Sequence, residues 1–240
     1  MNAAESGDPV AQFNLSNMYA FGWGVSKNAA EAMKWLRASA DQRYPPAQYA
    51  LSSHYASGAG VPKDSRKARV LLTDAAGQGA LLAQMMLGRM HEAGYTDLEI
   101  KKDMNKAIAW YQRAAAQCGP CNWEMWRIHY FGKGVEKDPV RAAPYLQKAA
   151  EGGLPKAQMQ LAFRYHDGNG LPKDDVRAYM WMLIARNGGD PTARKALPLL
   201  ARKMSFKDVV QAKKMARENM ERLIIRPGIL CELYDQFCDR

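Results

Sequence analysis

Long apolar runs are missing from the 240-residue sequence, since the longest uninterrupted one covers only residues 178–185. A membrane-spanning helix needs about 20 apolar residues, so this run is too short to cross a bilayer. No basic and then apolar segment opens the chain, so no targeting signal is visible. Low-complexity tracts are also missing, and 19 glycines with 12 prolines are too few to indicate disorder. The 48% of hydrophobic residues is sufficient for a buried core.

The motifs of common enzymes and metal sites are missing too. No histidine belongs to a His-Glu-x-x-His motif or to a visible triad with Ser and Asp, and the Gly-x-Gly phrases follow no predicted strand. His91 and His129 stand where tyrosine stands in other copies of the repeat described below, which predicts core or edge positions. We therefore expect no catalytic residue, no metal, no cofactor and no small-molecule substrate.

Positive charge is in excess, with a net charge of +10 from 34 basic and 24 acidic residues. The excess is concentrated in residues 191–226, which hold ten Lys or Arg against three Asp or Glu. Such a surface attracts nucleic acid, anionic lipid or an acidic protein, but it is more often a solvated helix face. We take the solvated face as the first interpretation and keep binding of nucleic acid or an anionic membrane as the alternative.

A unit of about 36 residues repeats along the chain. Its most regular phrase begins at Gly24, Gly60, Gly134 and Gly170, and has the form Gly-Val/Leu-x-Lys-Asp/Asn. An Ala-Gln pair or its equivalent occupies residues 11–12, 47–48, 83–84, 121–122 and 157–158, so the steps are 36, 36, 38 and 36 residues. The longer step comes from the third unit, where the loop over residues 95–102 gains about three residues and the next turn loses one.

Each unit is predicted to form a helix, a turn and a second helix. Apolar residues recur four apart in the first helix, as in Ala47, Leu51 and Tyr55, which places them on one face. Paired glycines such as Gly58 and Gly60 allow positive φ and end that helix. An Asp or Asn then acts as N-cap of the second helix, at Asn28, Asp64, Asp103, Asp138 and Asp174. A helix pair cannot bury its apolar face alone, so we expect the pairs to stack.

The pattern Ala-Gln-x2-Leu-x3-Tyr-x2-Gly-x-Gly-Val-x2-Asp-x2-Lys-Ala-x2-Trp-x3-Ala-Ala resembles the Sel1-like repeat of bacterial proteins, a relative of the tetratricopeptide repeat. The resemblance implies an all-α fold, a right-handed α/α superhelix or solenoid of about five repeats. The repeats would cover residues 1–190, at about 8–43, 44–79, 80–117, 118–153 and 154–189. The fourth repeat departs most, with Cys121-Asn122 for Ala-Gln, Met125 for Leu and His129 for Tyr.

Both ends of the chain differ from the repeats. Residues 190–225 are predicted to form a capping helix pair, with a capping box at Ser205 and Asp208 starting the last helix, and the apolar tail 226–240 is expected to pack back as a short helix. Residues 3–7 resemble the helix endings of later repeats. We therefore expect the chain to begin partway through a repeat, either because a leader has been removed or because the chain has been trimmed.

The resemblance implies an adaptor whose concave side, lined by the first helices, binds a partner. Counted from the Ala of Ala-Gln, positions +2, +6 and +9 point roughly 180° to 240° away from the core positions 0, +4 and +8. Tryptophan, tyrosine, methionine and arginine are enriched there, as in protein interfaces. The candidate partner-binding residues are Phe13, Asn17, Tyr49, Ser53, Met85, Arg89, Glu92, Trp123, Arg127, Tyr130, Met159, Phe163 and His166.

We expect this surface to centre on Trp123, Arg127 and Tyr130. The alternative for the +2 residues is that they wedge against the neighbouring repeat, because stacked helices bury more than one face.

The motif Cys118-Gly-Pro-Cys121 has the letters of the thioredoxin active site, but no strand pattern surrounds it. A structural disulfide between Cys118 and Cys121 is the better interpretation if the compartment is oxidising. Cys231 and Cys238 would lie about 10 Å apart on an unbroken helix, too far to bridge, and they lack zinc-ligand spacing. Four cysteines in two close pairs favour a periplasmic or otherwise extracytoplasmic location, with the cytoplasm as the alternative.

The sequence thus predicts a non-catalytic protein that binds a protein partner. The specific roles we consider are an immunity protein that neutralises a secreted toxin and an envelope or secretion regulator. Two alternatives remain, a thiol-disulfide oxidoreductase using Cys118 and Cys121 and a basic binder of nucleic acid or membrane through residues 191–226. The oligomeric state is not predicted.

Overall fold

The computed structural model describes residues 2–224, and within that range the secondary structure is helical apart from one antiparallel bridge between Tyr95 and Ile100. The predicted tail 226–240, with Cys231 and Cys238, lies outside the described residues. The all-α class predicted from the repeat pattern is confirmed. The helices are α1 (Asn2–Glu5), α2 (Pro9–Phe21), α3 (Ala29–Asp41), α4 (Pro45–Ser57), α5 (Ser65–Gly77), α6 (Leu81–Ala93), α7 (Met104–Gln117), α8 (Asn122–Phe131), α9 (Pro139–Glu151), α10 (Pro155–Asp167), α11 (Asp175–Asn187), α12 (Pro191–Ala201) and α13 (Phe206–Ile224).

The chain divides into two compact units, unit 1 at residues 1–113 and unit 2 at residues 114–240, with the division inside α7. We call the first helix of each repeat its A helix and the second its B helix. Unit 1 contains the A helices α2, α4 and α6, and unit 2 contains the A helices α8 and α10. In both units an A helix packs on the B helix that follows it, as α4 packs on α5 and α10 packs on α11.

The turns between helices follow the sequence signals. The A helices α2, α4, α8 and α10 end at a glycine in the left-handed region, such as Gly58 with φ 78°. The predicted N-caps are confirmed, since Asp64 Oδ1 accepts from the Lys67 backbone N–H at 2.9 Å. At Asp103, the equivalent backbone N–H of Lys106 holds the pKa of the carboxyl below its ordinary value.

The glutamine of the Ala-Gln pair is a buried clamp between consecutive helix pairs. Gln12 Nε2 donates to the carbonyl of Ala4 at 3.1 Å, eight residues earlier. In the other repeats that keep this bond, Gln84 donates to Ala76 and Gln158 donates to Ala150. Burying an amide without a hydrogen bond is unfavourable, so this bond ties α2, α6 and α10 each to the end of the helix before it.

The fourth repeat keeps this clamp with a shorter side chain. Asn122 Nδ2 donates to the carbonyls of Ala115, Cys118 and Gly119 at 2.9–3.1 Å. Because the preceding turn is one residue shorter, the acceptor at Ala115 lies seven rather than eight residues earlier. The shorter side chain of Asn122 therefore suits the one-residue shorter separation between donor and acceptor.

The insertion in the third repeat packs into the core of unit 1, to which it belongs. A 3-10 turn at Thr96–Leu98 buries Leu98 and Ile100 in the same apolar cluster as Leu72 and Leu87. Arg69 on α5 holds this loop, because its Nη1 donates to the Leu98 carbonyl at 3.0 Å and to Glu99 Oε2 at 2.9 Å. The extra residues thus add to the core of unit 1.

The helices after the fifth repeat complete the core of unit 2. The helix α11 is buried along residues 178–185, because α10, α12 and α13 all pack against it. This packing buries the apolar run at residues 178–185. Within residues 2–224, no helix is long and apolar enough to cross a bilayer. Ser205 acts as the N-cap of α13, since its Oγ accepts from the Asp208 backbone N–H at 3.2 Å, and the same Oγ donates to Asp208 Oδ2 at 2.8 Å.

Candidate partner-binding surfaces

The outward positions +2, +6 and +9 of the A helices differ in exposure. Met85 and Met159, both at +2, keep only 5% and 3% of their surface exposed. Because they are buried, these two residues belong to the packing between helices, as the wedge interpretation held, and they leave the candidate surface. The +6 and +9 residues among our candidates are half-buried or exposed.

In unit 1 the helices α2, α3 and α4 line an open groove with a volume of ≈ 580 Å³. Asn17 and Ser53, both at +6, line it, and their neighbours are mostly small or apolar. The groove lining contains no Asp, Glu, Lys or Arg. The lining is Ser16, Asn17, Ala20, Phe21, Ala29, Ala32, Met33, Leu36, Ala50, Ser53, His54, Ser57, Ala59 and Gly60.

The other candidates of unit 1 take part in packing or pairing. The Phe13 ring meets the Tyr44 ring edge-on, with centroids 5.7 Å apart. Burial raises the pKa of the Tyr49 hydroxyl above the ordinary value of a tyrosine. Glu92 Oε2 accepts a 3.0 Å hydrogen bond from the hydroxyl of the buried Tyr111, and Arg89 is half-buried on the same helix.

In unit 2 the helix α8 carries a column of aromatic rings. The ring of Trp126 lies between those of Trp123 and Tyr130, with centroid distances of 4.5 and 5.2 Å. Trp126 is 3% exposed, whereas Trp123 and Tyr130 are half-buried and the adjacent Phe131 is 56% exposed. The buried ring therefore supports the two rings that the sequence placed at the centre of the surface.

Cationic side chains cover the rings of this column. Lys156 Nζ lies 5.6 Å from the Trp123 ring centroid, and the Arg164 guanidinium lies 4.9 Å from that of Tyr130. Arg164 also donates to the Tyr130 hydroxyl, which fixes the ring orientation. Arg127 is held by the buried Glu124, with its Nη2 2.7 Å from Glu124 Oε2. Cations over ring faces are attracted by the ring quadrupole, so these groups stabilise one another.

The remaining candidates of unit 2 lie on α10. Phe163 is half-buried. His166 Nδ1 lies 2.6 Å from Asp175 Oδ1 at the start of α11, so this histidine is already paired within the repeat.

Sequence reasoning missed that α12 continues the A-helix series. Pro191 lies 36 residues after Pro155, and Ala193 and Leu197 are buried at the register of Ala157 and Leu161. Its +2, +6 and +9 residues are all exposed, and they are Lys195, Leu199 and Arg202. The signal was the Asp-Pro-x-Ala phrase at 190–193, which matches residues 8–11 at the start of α2.

The structure joins Cys118 and Cys121 by a disulfide in the turn before α8. Cys118 is 4% and Cys121 1% exposed. Thiol-disulfide exchange needs in-line access of a substrate thiol to a sulfur, so this burial does not support the oxidoreductase alternative. Close packing adds to the enclosure, because a Cβ on Gly119 would lie 2.8 Å from the Gly152 Cα. The disulfide therefore stabilises the tight turn that positions α8.

His129 lies at the tyrosine position of the repeat and is 3% exposed, as expected for a core residue. Its ring stacks on Tyr145 with centroids 5.5 Å apart, and no hydrogen-bond partner of its Nε2 is found among the described residues. Burial lowers the pKa of His129, and the nearby Arg141 guanidinium lowers it further. Among residues 2–224, no cluster of three or more His, Cys, Asp or Glu side chains is placed to hold a metal ion.

Comparison with known proteins identifies the repeat. A family model described as the Sel1 repeat matches residues 9–44, 45–79, 81–117, 127–154 and 155–190. The chain belongs to the Sel1 repeat family. The fourth match begins only after the cystine and the first half of α8, which is the part that departs most from the pattern. Sel1 repeat proteins are in general non-catalytic interaction modules, which agrees with the absence of catalytic motifs noted above.

Solved Sel1 repeat structures support the same fold. A Sel1 repeat protein from Oxalobacter formigenes is 31% identical with a TM-score of 0.70, and the alignment covers 89% of this chain and 88% of that one. A protective antigen present in uropathogenic Escherichia coli strains is 25% identical with a TM-score of 0.54, over 96% of this chain and 57% of that one. An immunity protein from Pseudomonas aeruginosa is 20% identical with a TM-score of 0.51, over 78% and 71%, a likeness that shows the fold alone.

A curated relative matches only locally. A Sel1-like repeat-containing protein of Acanthamoeba polyphaga mimivirus is 50% identical over 40 residues. The match spans 17% of this chain and 7% of that protein, so it concerns about one repeat.

Proposed function

We propose that this Sel1 repeat chain binds a protein partner through the outward surface of its A helices. The observation that carries the proposal is the supported aromatic column of α8, where Trp123, Arg127 and Tyr130 stay partly exposed although their neighbours are buried. Tryptophan, tyrosine and arginine are the residues that dominate binding hot spots. Side chains held in place before binding lose little entropy when a partner docks.

The groove of unit 1 is a second, separate contact region in this proposal. Its small apolar lining with scattered hydroxyls and amides suits a segment that inserts apolar side chains and hydrogen-bonds at the edges. The exposed rings of Phe21 and Trp23 stack 4.8 Å apart beside it and enlarge the apolar area.

Site-specific photo-crosslinking in the native host tests the proposal. A benzoylphenylalanine replaces Ser53 or Phe131 on A helices, and in control variants it replaces Val70 or Val140, which are 52% and 71% exposed on B helices. We expect a discrete adduct from the two A-helix positions and none from the controls. Equal labelling from all four positions, or none from Ser53 and Phe131, would refute the proposal.

For the specific role, we propose an immunity protein that neutralises a secreted toxin, with an envelope or secretion regulator as the second candidate. Large, pre-positioned aromatic and arginine side chains suit the tight interface that toxin neutralisation requires. The immunity role predicts a single adduct whose mass corresponds to one partner per chain. Several adducts of different mass, or complexes that dissociate during gel filtration, would favour the regulator.

We also propose an extracytoplasmic location, supported by the cystine, since disulfides persist mainly in oxidising compartments. Alkylation of intact cells followed by mass spectrometry gives the redox state of Cys118 and Cys121. The proposal predicts that both cysteines stay unmodified until a reductant is added. Alkylation of both without reductant would place the chain in the cytoplasm instead.

A further inference from the structure

We infer that the A-helix surface of unit 2 recognises an acidic polypeptide segment that also carries large apolar side chains. The inference rests on the proposed protein-binding function and names the partner class for that surface. It concerns α8, α10 and α12, which follow one another in the A-helix register.

Charge distinguishes these helices. Together α8, α10 and α12 contain five Lys or Arg and two Asp or Glu, and Arg202 and Lys203 follow directly after α12. Both acids are already paired, because Glu124 binds Arg127 and Asp167 lies 3.9 Å from Arg164 Nη2. His166 on α10 is paired with Asp175 on α11, so it does not add negative charge to this surface. The surface therefore offers positive charge to a partner and little negative charge.

The cations at the α12 end are exposed and carry no neighbouring acid on that helix. Lys195 and Arg202 occupy +2 and +9, and the exposed Arg194 lies beside them. Long-range attraction between such exposed groups and acidic residues of a partner speeds association and fixes its orientation.

The apolar part of the inference rests on two side chains. Leu199 at +6 of α12 is 62% exposed, and Phe131 at the end of α8 is 56% exposed. Exposed leucine and phenylalanine among cations favour a partner that supplies apolar side chains as well as carboxylates.

A nucleic acid fits this surface less well. Binding of single strands depends on aromatic faces that are open for base stacking. Here Lys156 lies over the ring of Trp123, and Arg164 lies over and bonds to Tyr130. These rings already have cationic partners at their faces, so an acidic peptide that contacts the cations is the better match.

Fluorescence anisotropy with defined probes tests the inference. The probe is a labelled synthetic peptide of about a dozen residues in which Glu and Asp alternate with Leu and Phe, and its twin has Gln and Asn in place of the acids. We expect the acidic peptide to bind the full chain at least about tenfold more tightly than its amide twin, and the preference to shrink as salt rises. The double variant Lys195→Glu with Arg202→Glu should abolish the preference.

A control variant carries the same change of charge on a B helix. Arg141→Glu with Lys148→Glu alters two exposed cations of α9 and should keep the full preference for the acidic peptide. Val70→Glu, on a B helix of unit 1, should leave it unchanged too. Circular dichroism and melting temperature verify that every variant folds like the parent.

Each other result overturns the inference. Equal affinity for the acidic and amide peptides, no binding of either, or loss of preference in the α9 control contradicts it. A single-stranded oligonucleotide that binds more tightly than the acidic peptide would assign the surface to nucleic acid. Because crosslinking in the host measures partner contact independently, an adduct at Phe131 with no acidic preference would leave the protein-binding proposal standing and remove only this inference.

Discussion

The A helices of unit 1 and unit 2 share a backbone pattern but differ in the chemistry of their outward faces. In unit 1, α2 and α4 contain no Asp, Glu, Lys or Arg, and they line a groove of small and apolar side chains. In unit 2, α8 and α10 carry stacked rings with cations over them, and α12 adds exposed cations.

The comparison shows which positions of the repeat are free to change. The core positions 0 and +4 remain apolar, and they are buried as at Ala47 with Leu51 and Ala157 with Leu161, except at the half-buried Ala11. The outward positions do not contribute to this packing to the same extent, so their residues can vary with the chemistry of the partner that they bind.

One buried position also differs between the units. Position +5 is serine or glycine in unit 1 and tryptophan in α8, where Trp126 supports the exposed rings.

The substitution with the largest expected effect on stability replaces Trp126, at position +5 of α8, by the serine that α2 and α4 have at that position. Trp126→Ser removes a ring that is 3% exposed and packs against the rings of Trp123 and Tyr130. We expect a loss of about 4 kcal/mol in the free energy of unfolding, because a large buried ring leaves a cavity that collapses incompletely. Urea denaturation followed by circular dichroism measures it.

The matched control is Ser52→Ala on α4, at the same register in unit 1. It removes a 2.7 Å hydrogen bond from Ser52 Oγ to the Tyr49 carbonyl and should cost about 1 kcal/mol. If Trp126→Ser cost no more than Ser52→Ala, the ring column would not be a structural difference between the units.

The second prediction concerns the cystine, for which unit 1 has no equivalent. Cys118→Ala with Cys121→Ala opens a four-residue loop, and the chain-entropy account gives a loss of about 2 kcal/mol. Hydrogen exchange should rise in α8 and stay unchanged in α2 and α4. Reductant should lower the stability of the parent to that of the variant and leave the variant unaffected, and a parent insensitive to reductant would contradict the structural role.

The smallest expected effect is a pH dependence that belongs to unit 2. The folded protein lowers the pKa of His129 below its ordinary 6.5, so the unfolded chain binds the proton more readily. The contribution of the neutral His129 to the free energy of unfolding is therefore complete above pH 6.5. It is lost as the pH falls towards the lower pKa of His129 in the folded protein. His129→Tyr, which restores the residue of other repeats, should reduce the fall in urea midpoint on acidification. If the His129→Tyr variant kept the parent's pH profile, this distinction between the units would be removed.

Sequence alone predicted most of the fold, because the repeat marks its own turns and caps. Gly58 and Asp64 fulfil their predicted roles, since left-handed φ and N-capping are local properties. The candidate surface was predicted less completely. Met85 and Met159 sit at an outward angle on an isolated helix, but packing by neighbouring helices buries them. The angular position of a residue on a single helix does not show whether a neighbouring helix covers it.

Two further features needed the tertiary structure. The step from Pro155 to Pro191 was present in the sequence, yet the exposure of Leu199 depends on how α12 and α13 pack against α11. Likewise, the cations over Trp123 and Tyr130 come from α10, more than 30 residues away in the chain. Such pairings follow from stacking between repeats.

The glutamine clamp has a consequence for how these repeats are exchanged. Gln158 Nε2 donates to the carbonyl of Ala150, which belongs to the preceding repeat in the sequence pattern. A chain cut or spliced at residue 154 would separate donor from acceptor and leave a buried amide unsatisfied. Cuts placed inside the B helix, ahead of residue 150, would keep the pair together. The module that duplication or engineering can move intact is therefore offset from the sequence repeat by about one helical turn.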